Sequence, residues 1–169
     1  MRVIVIGGGM FGASAAYQLA RSGAEVSIID HVHPGKATMA GAGIVCPWAT
    51  KIDDPEWYEM YAAGGRFYDQ LVAMLAEDGE TEFGYRKVGA LVTSSDAAEL
   101  RSAGERIARR VKTAPEAGNV RLLSPKEAQG MFPVLREGLE AYFIPGGARV
   151  DARLVSAALV RAAVKHGAQ

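Results

Sequence analysis

Residues 1–30 read MRVIVIGGGMFGASAAYQLARSGAEVSIID, and this stretch decides the fold. It opens with a short run of β-branched residues, which is typical of a parallel strand buried on both faces. Gly7, Gly9 and Gly12 then stand in the G-x-G-x-x-G spacing, followed by an alanine-rich amphipathic segment. A second apolar run ends at Asp30. The order of strand, glycine turn, helix, strand and acid predicts the start of a nucleotide-binding α/β fold.

Each glycine of this motif has its own physical role. Gly7 permits the tight turn, Gly9 lets the backbone approach a pyrophosphate, and Gly12 lets the helix pack against the strand. The first helical turn points free N–H groups and a positive dipole end at that anion. Asp30 can accept hydrogen bonds from an adenosine ribose and disfavours a 2′-phosphate, which argues against NADP. The alternative is a plain glycine-rich turn in an unrelated α/β protein.

Composition restricts the class of protein further. The chain has 169 residues, of which 49% are hydrophobic, and this predicts one or two small globular domains. Its formal net charge is +0, which offers no electrostatic reason for binding nucleic acid or an anionic membrane. Arg106, Arg109 and Arg110 share one predicted helix and are expected on a solvated face. No apolar run reaches transmembrane length and no signal peptide is recognised, so we expect a cytoplasmic protein.

Residues 31–43 interrupt the regular pattern. Pro34 and three glycines predict a loop without helix or strand. Within it, Lys36 and Thr38 can bring an ammonium and a hydroxyl to phosphates, and the small residues 40–43 let backbone lie close to a flat ring. An ordinary surface loop explains the same residues equally well.

The single cysteine and the paired histidines offer weaker signals. Cys46 cannot form an internal disulfide, fits a reducing compartment and is expected to be a buried, inert thiol. His31 and His33 stand close to Asp30, but no third ligand follows at a recognised spacing. We therefore predict no metal site.

The remainder of the sequence predicts mixed α and β structure rather than a continued alternation of strands and helices. Asp54 with Pro55, Ser124 with Glu127, and Asp151 are typical helix starts. The predicted elements are helices over 55–76, 96–112 and 151–166, a short helix from 124 to before Pro133, and strands over 83–87, 90–93 and 139–144.

Taken in order, these segments resemble the FAD-dependent D-amino acid oxidase superfamily, nearest to glycine oxidase and the sarcosine oxidase group. The resemblance is carried by the opening motif and by residues 37–44 (ATMAGAGI), 84–89 (GYRKVG) and 145–151 (PGGARVD). It implies a Rossmann-like FAD-binding domain built from residues 1–45 and 150–169, with part of a mixed α+β substrate domain in 46–149. Members are about twice this length, so the chain resembles their N-terminal portion, and we expect a fold incomplete at its C-terminus.

The resemblance also implies a cofactor site for FAD. Around the pyrophosphate we expect Gly7, Gly9, Met10, Phe11 and Gly12, and at the adenosine ribose we expect Asp30, with His31 beside it. Lys36 and Thr38 are expected to flank the phosphates and the ribityl chain. Beside the isoalloxazine ring we expect Ala42, Gly43 and Ile44.

The implied reaction is oxidation of a small amine or amino acid. Hydride passes to the flavin, and the resulting imine hydrolyses to an oxo acid. In the family the groups that hold the substrate carboxylate come from later in the chain, so no catalytic residue is assigned; Arg86 and Arg149 are expected to be surface charges. Because the resemblance covers only the N-terminal portion of the family members, we expect the remainder on a longer polypeptide, on a complementary chain, or through exchange with a second copy. A non-catalytic nucleotide-binding subunit and an NAD-dependent dehydrogenase remain as alternatives.

Overall fold

Residues 1–43, 68–85 and 150–169 pack together as one unit of the computed structural model, and residues 44–67 and 86–149 pack as a second unit. The structure describes residues 1–31 and 33–169. The sequence assigns 46–149 to one continuous part, whereas residues 68–85 pack with the first unit. The roles of the two parts in cofactor and substrate binding stay predictions.

Strands and helices alternate at the start of the chain and then mix. In chain order the elements are β1 (Arg2–Ile6), α1 (Met10–Arg21), β2 (Glu25–Ile29), α2 (Ala37–Ala40), β3 (Ile44–Val45), α3 (Pro55–Glu77), β4 (Arg86–Lys87), β5 (Ala90–Thr93), α4 (Ala97–Val111), β6 (Arg121–Leu123), α5 (Pro125–Met131), β7 (Ala141–Ile144), β8 (Ala148–Arg149) and α6 (Ala152–Lys165).

The first unit contains the predicted strand, helix and strand. β1 and β2 are parallel, in a register that places Arg2 opposite Glu25 and Ile6 opposite Ile29. Gln169 extends the pairing, because its N–H donates to Val26 O at 2.9 Å and its carbonyl accepts from Ile28 N at 2.6 Å. α1 packs against α6 through faces rich in alanine, which allow a close approach.

One face of this sheet remains open. Ile4, Ile6 and Ile29 are 66%, 85% and 57% exposed. Parallel strands in α/β proteins are ordinarily covered on both faces, whereas these three side chains form an exposed apolar surface.

The second unit holds two three-stranded sheets, with the orders β3–β8–β4 and β5–β7–β6, and all four pairings are antiparallel. One hydrophobic cluster joins Cys46 and Trp48 to Ile107 of α4 and Ile144 of β7. Burial raises the pKa of the Cys46 thiol to about 11, so the thiol stays protonated at neutral pH. The prediction of a buried thiol is confirmed, and its inertness stays a prediction.

The helix starts follow the sequence, but several strand and loop limits do not. The Ser124 capping box forms, and Asp96 and Asp151 cap α4 and α6. The predicted strand over 83–87 is wrong before Arg86, because Gly84 adopts φ +65° and lies against Asp151. The strand over 139–144 starts only at residue 141, after Gly138 turns the backbone at φ +80°. The loop over 31–43 contains α2, and the short strands β3, β6 and β8 carried no recognised signal.

The prediction that Arg110 lies on a solvated face of α4 is wrong. Its side chain is only 8% exposed, although it is close in sequence to the exposed Arg109. The guanidinium donates to carbonyl oxygens of residues 48–52 instead of facing water.

A polar network stabilises the first unit. The Glu80 side chain is 9% exposed and accepts two hydrogen bonds from Arg161, at 2.9 and 2.5 Å, and one from Lys165 at 2.9 Å. Nearby, the Tyr17 hydroxyl donates to Asp78 at 2.5 Å, and the second Asp78 oxygen lies 2.8 Å from His166 Nε2. These contacts join α1, the turn after α3, and α6.

Glu80→Gln is expected to lower the free energy of unfolding at neutral pH by roughly 1–2 kcal/mol, because an amide cannot compensate two cations. Arg161 and Lys165 are about half exposed, so solvent limits the loss. The matched control is Glu77→Gln, whose carboxylate is 65% exposed and pairs with Arg21. Urea titration should show a smaller loss in the free energy of unfolding for Glu77→Gln than for Glu80→Gln.

The effect of Glu80→Gln should also depend on pH. Hydrogen bonds from Arg161 and Lys165 hold the pKa of Glu80 below its ordinary value of 4.5. Because the folded carboxyl binds a proton less tightly than the unfolded one, its contribution is complete above pH 4.5 and is lost as the pH falls through the folded pKa. The difference between wild type and variant should shrink in acid, and a constant difference would contradict this assignment.

Candidate functional site

The glycine turn between β1 and α1 is closely packed at Gly8, Gly9 and Gly12. Gly7 has φ +101°, and its N–H donates to Ile29 O at 2.7 Å, which ties the turn to the end of β2. A Cβ built on Gly12 would overlap the carbonyl oxygen of Gly7. The first turn of α1 therefore lies directly against the loop, which places the positive end of the helix dipole at the turn.

Thr38 caps α1 from a distant segment. Gly9 is the N-cap residue of α1 and supplies no side-chain cap of its own. The N–H of Met10 instead donates to Thr38 Oγ1 at 3.0 Å, and a Cβ on Gly9 would lie 2.9 Å from the same oxygen. The structure thus brings together Gly9, Met10 and Thr38, three of the residues predicted to contact the cofactor.

Asp30 stands beside this turn, at the carboxyl end of β2. Lys36 Nζ lies 2.5 Å from Asp30 Oδ2. This hydrogen bond, with others from the backbone N–H groups of Gly8 and His31, lowers the pKa of Asp30 to about 2. The carboxylate is therefore ionised at neutral pH, and it can accept hydrogen bonds from ribose hydroxyls.

Gly8 lies against Asp30, a contact that the motif spacing did not predict. A Cβ on Gly8 would lie 3.1 Å from Asp30 Oδ2, closer than most side-chain contacts allow. Gly8 occupies an unspecified position of the motif, so only a requirement for space next to Asp30 singles it out. The run of three consecutive glycines was the available signal.

Phe11 and the histidines lie on the outside of the first unit. Phe11 is 92% exposed. The ring of His31 stacks on that of His33, with centroids 5.2 Å apart and an interplanar angle of 14°. Among residues 1–31 and 33–169, no group of three His, Cys, Asp or Glu side chains is arranged to hold a metal ion.

Ala42, Gly43 and Ile44 lie where the chain passes from one unit to the other. Ala42 is exposed, and Gly43 has φ +67° with its Cβ direction blocked by Val150 O. The Gly43 carbonyl accepts from Val150 N at 2.8 Å. Ile44 begins β3 in the second unit and is 66% exposed. Their place beside an isoalloxazine ring stays a prediction.

Together, the βαβ order, the closed glycine turn and the acid after β2 define a dinucleotide-binding protein of the Rossmann type. Residues 2–169 match the family model DAO, described as FAD dependent oxidoreductase. The chain belongs to this family, which confirms the resemblance and the α/β fold class and decides for FAD over NAD.

Similarity to individual known proteins is consistent with this family. The chain is 58% identical to the iminodiacetate oxidase IdaA from Chelativorans sp. BNC1, with a TM-score of 0.95 over 100% of this chain and 46% of that one. It is 25% identical to glycine oxidase from Bacillus cereus ATCC 14579, with a TM-score of 0.79 over 99% of this chain and 45% of that one. "Uncharacterized oxidoreductase YurR" of Bacillus subtilis (strain 168) is 44% identical over 98% of this chain and 44% of its own length. The chain therefore spans less than half the length of these relatives.

Membrane insertion through a helix has no support in the part of the chain that the structure describes. None of the helices there is both long and apolar enough to cross a bilayer.

Proposed function

We propose that the whole protein is an FAD-dependent oxidoreductase that oxidises an amine carrying a neighbouring carboxylate. The observation that carries this proposal is the 58% identity with an iminodiacetate oxidase over the full length of the chain. Iminodiacetate is accordingly the first substrate to test, and glycine is the second because of the likeness to glycine oxidase.

The first unit fits the adenosine half of FAD. A Cβ would crowd neighbouring atoms at Gly8, Gly9 and Gly12, so these positions carry no side chain and the backbone can approach a pyrophosphate. The N-terminus of α1 offers N–H groups and a positive dipole end to that anion. Asp30 is ionised and close to the turn, where it can bind the ribose.

The proposed chemistry balances with FAD as the two-electron acceptor. The amine loses a hydride and a proton and becomes an imine; water then converts iminodiacetate imine to glyoxylate and glycine. The electrons finally pass to dioxygen or another acceptor. Arg86 and Arg149 are exposed, as expected for surface charges, so we place the carboxylate-binding groups in the part of the relatives that this chain does not span.

The exposed apolar face of the β1–β2 sheet supports the proposal that the first unit packs against further polypeptide. We propose that Ile4, Ile6 and Ile29 are covered by polypeptide equivalent to the remainder of the relatives, on the same chain or on a separate one. Ile4→Lys should lower the free energy of unfolding in urea if the covering polypeptide is on the same chain, and should lower the assembly mass in light scattering if it is on a separate one. Unchanged stability together with an unchanged assembly would contradict this docking surface.

The function is tested on the whole purified protein. The expected sample is yellow, releases FAD on denaturation, and bleaches when iminodiacetate is added without oxygen. Formation of glyoxylate then confirms the reaction. Protein that neither contains FAD nor takes it up would overturn the proposal, and bound FAD that no amine reduces would favour a non-catalytic subunit.

A further inference from the structure

A cavity of about 280 Å³ lies within the second unit, between α4, the end of β5 and residues 49–51. Its volume is at the lower end of the range for small-molecule sites. Arg106 and Ser102, one helical turn apart on α4, are among its polar lining residues. Its apolar lining residues are Ala49, Val92, Leu100 and Ala103. The cavity therefore suits a small ligand that has both a polar and an apolar part.

Arg106 brings an unsatisfied donor to this cavity. Its side chain is half-buried, and its Nε is buried with no hydrogen-bond partner in the part of the chain that the structure describes. A buried donor without an acceptor is costly, above all when it belongs to a charged group. An acceptor that enters the cavity is therefore favoured at Arg106.

Glu99 carries the one carboxylate among the described residues that line the cavity, and it is engaged elsewhere. Its Oε1 accepts a hydrogen bond from Lys51 Nζ, and its Oε2 accepts one from Ser94 Oγ at 2.5 Å. These hydrogen bonds hold the pKa of Glu99 below its ordinary value of 4.5, so the group is ionised at neutral pH. The charges of Lys51 and Glu99 offset each other, which leaves the positive charge of Arg106 unmatched in the lining.

Arg110 increases the excess of positive charge near Arg106. Burial first, and then the like charges of Arg106 and Arg109, lower the pKa of Arg110. The Arg110 guanidinium is bound mainly by backbone carbonyl oxygens, which carry no full negative charge. A bound anion at Arg106 would reduce the repulsion between these cations.

A guanidinium binds a carboxylate through two parallel hydrogen bonds, and a single negative charge is sufficient to match Arg106. A short alkyl chain would contact the apolar part of the lining. We propose that this cavity is a binding site for a short-chain aliphatic monocarboxylate, whose carboxylate binds Arg106 and whose alkyl chain lies against Leu100 and Ala103. The site lies wholly within the second unit and does not rest on the proposed oxidation.

Butyrate and its uncharged analogue butyramide test this site. Their dissociation constants for the whole purified protein are measured by ligand-observed NMR at one ionic strength. Wild type should bind butyrate about tenfold or more tightly than butyramide. Arg106→Met should bring the two constants to within about twofold, and Arg106→Lys should keep part of the preference. Ser102→Ala should weaken butyrate binding by about two- to tenfold if its hydroxyl donates to the carboxylate.

Arg109→Met is the matched control, because this arginine is exposed on the same helix and does not line the cavity. It should leave the preference for butyrate unchanged. Butyrate should also raise the unfolding temperature of the wild type and of Arg109→Met, but not that of Arg106→Met. Circular dichroism checks that Arg106→Met is folded, which we expect because the substitution removes a charge that has no partner at Nε.

Three results would overturn the inference. Equal binding of butyrate and butyramide by the wild type would show that the charge of Arg106 does not select the ligand. No butyrate binding at all would show that other polypeptide of the whole protein fills the cavity. A preference for butyrate that Arg106→Met leaves unchanged would place the ligand elsewhere, such as at the proposed flavin site.

Discussion

Gly12→Ala is expected to abolish FAD binding and to lower the free energy of unfolding by about 2–3 kcal/mol. The added methyl group would coincide with the carbonyl oxygen of Gly7, which is backbone and cannot rotate away. Either α1 or the glycine turn must move, and the N-terminus of α1, which we propose to bind the pyrophosphate, moves with it.

Gly64→Ala is the matched control for this substitution. Gly64 lies inside α3, and a Cβ built on it meets nothing within 4 Å. Alanine should therefore stabilise the helix there by about 0.5–1 kcal/mol and leave FAD content unchanged. Thermal unfolding and the ratio of flavin to protein absorbance measure both effects. A Gly12→Ala protein with wild-type stability and full flavin content would show that the turn has room for a side chain.

Arg110→Met is expected to lower the free energy of unfolding by about 1–3 kcal/mol, because it leaves three backbone carbonyls, two of them in part-buried hydrogen bonds, without their donor. The Arg110 guanidinium donates to Thr50 O and Ile52 O, both at 2.6 Å, and to Trp48 O at 3.2 Å. It also lies 4.1 Å from the centroid of the Tyr58 ring. One side chain thus holds the segment that follows β3.

Arg109→Met is the control for Arg110, because the neighbouring side chain is exposed and on the same helix. Its effect in urea unfolding should be within about 0.5 kcal/mol. Arg110→Lys should recover only part of the stability, since an ammonium lacks the planar fork that reaches several carbonyls. Equal stability of the Arg109 and Arg110 variants would refute the assigned role.

The short-range features of this protein were predictable from its sequence. Ser124 and Asp151 start helices because a side-chain oxygen satisfies N–H groups two or three residues away, and the structure contains both caps. Gly7 and Gly12 were predictable for a similar reason, because Gly7 turns the backbone at φ +101° and Gly12 lies against the carbonyl of Gly7 in the same turn. Strand limits at Gly84 and Gly138 were not, since whether a glycine continues a strand or adopts positive φ depends on what packs against it.

In the candidate site, too, some features were predictable from the sequence and others only from the tertiary structure. The sequence by itself determined the strand, glycine turn, helix and acid of residues 1–30, the class of ligand that they suit, and the resemblance that the family match confirms. Only the tertiary structure decided that Thr38 caps α1 across 28 positions, that Lys36 lies on Asp30, and that Arg110 is buried rather than solvated. The physical reason is that a cap or a turn is specified by neighbours along the chain, whereas the partner of a long polar side chain is decided by which segment folds beside it.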